Sequence, residues 1–106
     1  MIDGMSEYLD HIRAEYARLA ESIHTDAALR EECIADFNNE LMFSVHTKYI
    51  KVISRKSVHS FVCRYDMGKF TKGDILKAAS WAAPAKNFSR GNIMARNFGT
   101  ISWAGA

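Results

Sequence analysis

The residues best suited to chemistry lie between Gly68 and Asn97, in the stretch GKFTKGDILKAASWAAPAKNFSRGNIMARN. It holds Lys69, Lys72, Lys77, Lys86, Arg90 and Arg96 against one acid, Asp74. Phe70, Trp81 and Phe88 are interleaved with these cations, and Pro84 and three of the six glycines bend the backbone. Each Lys or Arg placed on a phosphate releases condensed counterions, which gives salt-dependent, sequence-tolerant binding. Trp81 and Phe88 are candidates to stack on unpaired bases, a contact worth about 1–3 kcal/mol per base. In Ser89-Arg90-Gly91-Asn92, the missing Cβ of Gly91 lets backbone N–H groups and a guanidinium approach one phosphate. The nucleic-acid-binding candidates are therefore Lys69, Lys72, Lys77, Trp81, Lys86, Phe88, Arg90, Asn92 and Arg96. Burial competes with this reading, because a core place is the commoner fate of Trp81, Phe70 and Phe88. Lys86 and Arg90 suit a solvated loop equally well, and Asp74 after Gly73 suits a turn or cap.

Catalytic constellations are weaker. Ser57 and His59 flank Val58 at strand spacing, with no third group to orient them and no G-x-S-x-G elbow. On an extended strand, residues as far apart as His59 and Cys63 lie about 13 Å from each other, too far for an activated thiolate. His11, His24, His46 and His59 form no i, i+4 pair, and neither HExxH nor CxxC occurs, so no catalytic residue, metal or cofactor is expected. The expected protein is a non-enzymatic binding module.

The elements that would position these residues divide the chain in two. Met5, Tyr8, Leu9, Ile12, Tyr16, Leu19 and Ile23 recur at three and four, which predicts an amphipathic helix with Ser6 as N-cap. Thr25 or Asp26 caps a second helix carrying Leu29, Cys33, Ile34, Phe37 and Leu41, which ends near Asn38-Asn39-Glu40 or a turn later. The period then becomes two. Tyr49–Ile53 and Ser57–Tyr65 read as a hairpin, with Val58, Ser60 and Val62 on one face and His59, Phe61, Cys63 and Tyr65 on the other. Phe70 and Gly73–Lys77 supply a third strand, Gly99–Trp103 a last one, and Pro84 discourages helix at Ala83. The expected fold is α+β: an N-terminal helical hairpin, or one kinked helix, packed on a small antiparallel sheet of three to four strands. Residues 1–106 form a single domain, with an acidic helical part over 1–45 and a basic β-rich part over 46–106.

Charge sharpens that division. Residues 1–42 carry ten acids and three bases, a net of −7, whereas residues 43–106 carry eleven bases and two acids, a net of +9. The halves either satisfy each other, within the fold or in a homodimer, or one of them meets a charged partner. No apolar run approaches the roughly 18–20 residues a bilayer span needs, and the acidic MIDGMSEYLD is no secretory leader. No membrane partner is expected. The expected place is a cytoplasm, where Cys33 and Cys63 stay reduced and buried.

The strings SVHSFV, GDILKAASWAAPAKNFSRGNI and TISWAGA resemble a class of small proteins encoded by tailed bacteriophages. The resemblance runs from Lys48 to Ala106 and rests on Trp81, Pro84, Lys86, Arg90, Gly91 and Asn92. It implies a phage origin and a host-cytoplasmic setting, but no mechanism. The leading expectation is a small phage-type protein contacting nucleic acid through its basic, aromatic C-terminal surface. The alternative is an antagonist of a host enzyme or defence complex, binding protein through its acidic helices, where charge complementarity speeds encounter.

Overall fold

A computed structural model of the chain describes residues 2–106. The three–four spacing near the N-terminus produces α1 (Met5–Ile23), which buries Met5, Tyr8, Leu9, Ile12, Tyr16 and Ala20. The apolar stripe closes at Ala20, and Ile23 stands in solvent. The helix begins before Ser6: its N-cap is Gly4, at φ 92°. A Cβ there would lie 2.0 Å from the Ile93 carbonyl oxygen, so the first turn is docked on the C-terminal part of the chain. Asp26 caps α2 (Ala27–Glu40), its carboxylate accepting from the N–H groups of Ala28 and Leu29. Within α2 only Phe37 is fully buried, stacked on Tyr16 at 4.1 Å, while Leu29 is exposed.

Five antiparallel strands follow, one more than the upper expectation, in the order β1-β2-β3-β4-β5. They are β1 (Met42–Val45), β2 (Tyr49–Ser54), β3 (Ser57–Cys63), β4 (Asp74–Leu76) and β5 (Gly91–Asn92). The fold is α+β, with both helices on one face of the sheet. Arg55 and Lys56 both take positive φ in the two-residue β2–β3 turn. Such a turn favours Asn-Gly, but here Arg55 is held over Tyr16 and Phe37 and donates to the Tyr16 hydroxyl.

A bulge corrects the expected alternation of β3. Val52 pairs with Ser60 but Ile53 pairs with Val58, so His59 is the extra residue. Ser60 and Val62 still face the helices, and Phe61 and Cys63 the opposite side, but Val58 now packs with Phe61. His59 turns to the helix side, where its Nε2–H donates to the Ser102 carbonyl at 2.8 Å. Its Nδ1 then accepts from Ser60 Oγ, whose oxygen also meets the Tyr8 hydroxyl at 2.6 Å.

Gly99–Trp103 does not form the last strand. Ile101 is buried in the main core and Trp103 packs at its edge, edge-on to Tyr16, and only Ser102 and Gly105 bridge. The two residues of β5 take the strand's place. Where Pro84 discourages helix, the Ala78–Ala83 run is a loop, closed by a bridge between Ala78 and Pro84 with Trp81 at the tip.

Candidate nucleic-acid interface

The sheet has two unlike covers. On the helix side, a core from Ile2 to Ile101 includes Ile12, Phe37, Ile50, Val52, Val62, Ile75 and Ile93. On the other, the buried apolar residues are Phe61, Cys63, Phe70 and Leu76, beneath Met67, Ala78 and the loops after β3 and β4. That thin cover stops at β2. Register places Met42 with Ile53 and Ser44 with Lys51 on this same outer face, where Met42 and His46 are exposed and Tyr49 half-buried.

Lys51 is the anomaly of this face. It is only 7% exposed, and its ammonium lies 4.5 Å from the Trp81 ring centre and 5.9 Å from that of Phe61. Trp81, a stacking candidate in a residue type more often buried, is 55% exposed, one side on Lys51 and the other free, because the Ala78–Pro84 bridge carries it out to a loop tip. Such cation–π contacts contribute about 0.5–2 kcal/mol, more as the cation is desolvated.

One step of two residues along β2, about 7 Å at strand rise, Tyr49 floors a hollow of about 320 Å³. Lys48, Lys69 and Lys86 line it with Phe70, Met67 and Gly68. Lys69 comes from the turn before β4 and Lys86 from the loop after it. Lys69 Nζ donates to the Asn87 carbonyl at 2.5 Å, which draws the two segments together. Next to this contact, Phe88 is 55% exposed with the Arg90 guanidinium 4.0 Å from its ring centre. Trp81 and Phe88 thus offer free ring faces, and three lysines line one hollow between the loop layer and β2.

Other candidates lie elsewhere. Asn92 is built into the fold: its amide donates to the Lys72 carbonyl and Asp74, and its oxygen accepts from the N–H groups of Met94 and Ala95. Arg96 is paired with Asp3 at 2.9 Å and reaches Glu7 at 3.5 Å. This pairing holds the Asp3 carboxyl below the usual range and raises Arg96. Lys72 belongs to a separate hollow with Arg64 and Tyr65, and Lys77 is exposed beyond β4. Lys48, Tyr49 and Lys51 were missed by sequence reasoning. Their signal was position: Lys48 closes the turn into β2, and Tyr49 and Lys51 alternate on one face of it.

The potential nucleophile and base are internal groups. Burial, with Asp74 nearby, pushes the Cys63 thiol up to about 11, so it is not a thiolate at neutral pH. Burial also lowers His59, whose two ring nitrogens are occupied. Ser57 Oγ donates to the Ser54 carbonyl.

A family model described as a family of unknown function, DUF7717, matches residues 5–106. The chain belongs to that family. The match spans acidic helices, sheet and basic loops alike, so both halves are parts of one family unit. No curated protein and no solved structure matches the chain. No helix among the described residues is long and apolar enough to cross a membrane.

Proposed function

We propose that this is a small, non-enzymatic, phage-type protein that binds single-stranded nucleic acid, in the host cytoplasm, across the outer face of β2 and its flanking loops. The observation that carries the reading is the convergence of Lys48, Lys69 and Lys86 on one hollow floored by Tyr49. The free faces of Trp81 and Phe88 support it, since bases stack on exposed rings and paired duplex bases cannot. In this reading Lys48, Lys69 and Lys86 hold phosphates, Trp81 and Phe88 stack on bases, and Arg90 backs Phe88. Asn92 and Arg96 shape the fold around them.

Fluorescence titration with single- and double-stranded oligonucleotides across salt tests the proposal. Log affinity should fall with log salt at a slope near −2, given about −0.7 per phosphate neutralised on a single strand. Lys69→Ala with Lys86→Ala should flatten that slope by about 1.4. Absence of binding to any oligonucleotide at low salt overturns the reading.

A second reading rests on α2, where Glu31, Glu32, Asp36 and Glu40 are all exposed and outside the ion pairs formed among the described residues. That acidic face would dock in a basic groove of a host enzyme or defence complex. Recovery of a host protein that Glu31→Lys with Asp36→Lys releases, with no oligonucleotide binding, selects it.

A further inference from the structure

The sheet ends in two edges that are managed differently. β5 has two residues, and the Asn92 N–H is taken by Asn97 Oδ1 at 2.6 Å. β1 is Met42-Phe43-Ser44-Val45, with no charge, no proline and no bulge against β2. Those are the usual devices that keep an edge from pairing with another chain. Met42 and Val45 are more than half exposed. Parity follows from His46, whose N–H donates to the Tyr49 carbonyl at 2.8 Å. Met42 and Ser44 therefore also direct their backbone groups to β2, and Phe43 and Val45 direct theirs outward. Among the described residues nothing accepts those two N–H groups.

We propose that β1 pairs with β1 of a second copy of this chain, antiparallel about a two-fold axis through Ser44. This register sets Phe43 opposite Val45 of the second copy and uses both outward residues of each strand, closing four backbone hydrogen bonds. Charge favours a second copy over an unrelated strand. The antiparallel pairing also sets the end of α2, with Glu40, beside the second copy's β1–β2 turn, with Lys48, and the reverse. Both residues are exposed and take no part in the ion pairs formed among the described residues. Within one chain they lie beyond opposite ends of β1, whose four residues span about 13 Å at ~3.3 Å per residue. Cross-strand partners share a face, so the pairing puts both lysine hollows on one side of a ten-stranded sheet and all four helices on the other. Lys48 then faces both its own hollow and Glu40 of the second copy.

Sedimentation equilibrium without nucleic acid tests this apart from the binding proposal. The wild-type chain should show twice the chain mass at micromolar concentration. Val45→Pro removes only an outward donor and should give a monomer with unchanged far-ultraviolet circular dichroism. If that variant does not fold, Val45→Lys should give the folded monomer. Glu40→Lys should weaken the dimer about tenfold through its two symmetric contacts, and adding Lys48→Glu should restore it. A monomeric wild type, a Val45→Lys variant that stays dimeric, or a charge swap that restores nothing overturns the proposal.

Discussion

The two faces of the sheet are made of the same strands but carry different loads. The helix side joins residues about a hundred positions apart, from Ile2 to Trp103, and closes a buried hydrogen-bond chain through Tyr8, Ser60 and His59. The loop side buries four apolar residues, leaves two aromatic rings over half exposed, and holds a buried lysine beneath one of them. Stability concentrates on one face, which leaves the other free to keep solvated cations and uncovered rings. A contact surface of this kind needs a scaffold that does not depend on it.

That contrast is open to direct attack. Phe37→Ala on the helix side should cost about 3–5 kcal/mol in urea unfolding, whereas Phe88→Ala should change stability by no more than about 0.5 kcal/mol. Equal losses would erase the distinction. Trp81→Ala should remove about 1–3 kcal/mol of single-strand affinity. If affinity holds while stability falls, Trp81 serves only to cover Lys51.

A smaller effect concerns pH and should belong to the helix side alone. Burial keeps the His59 pKa below its ordinary 6.5. Below about pH 6.5 the unfolded chain takes up a proton that the folded His59 refuses. Its contribution is therefore complete above that value and declines as pH falls toward the folded pKa. The urea midpoint should drop between pH 7 and pH 5, less steeply in His59→Gln. Smallest of all, Arg96→Ala should leave the salt slope of binding unchanged, because Asp3 and Glu7 already occupy that guanidinium.

Much of the helix side was legible in the sequence. The spacing of Met5, Tyr8, Leu9, Ile12 and Tyr16 marks the buried face of α1, and Asp26 announces α2. The β2–β3 hairpin also shows in its alternation, up to the bulge at His59, which no local pattern signals because a register shift is a property of two strands together. β1 was hidden because Leu41-Met42-Phe43 continues the apolar pattern of the preceding helix. β5 is too short to have a period, whereas Thr100-Ile101-Ser102-Trp103 has one without being a strand: Ile101 is buried in the main core and Trp103 packs against it from a turn.

The loop side was less legible. Its cations come from separate loops, and only the Lys69–Asn87 contact and the β1–β2 turn show that Lys48, Lys69 and Lys86 meet. Composition alone places a tryptophan inside. The turn closed by Ala78 and Pro84 puts Trp81 outside.

The docking of Gly4 against Ile93, with Phe98 and Ile101 closing over α1, has a consequence for biosynthesis. Part of the surface that covers α1 is made only some ninety residues after the helix itself begins. Such sequence-distant contacts slow folding, and the nascent helices should stay loosely collapsed until that surface has emerged from the exit tunnel. A chain stalled before Ile93 should be degraded readily by a protease that spares the finished protein.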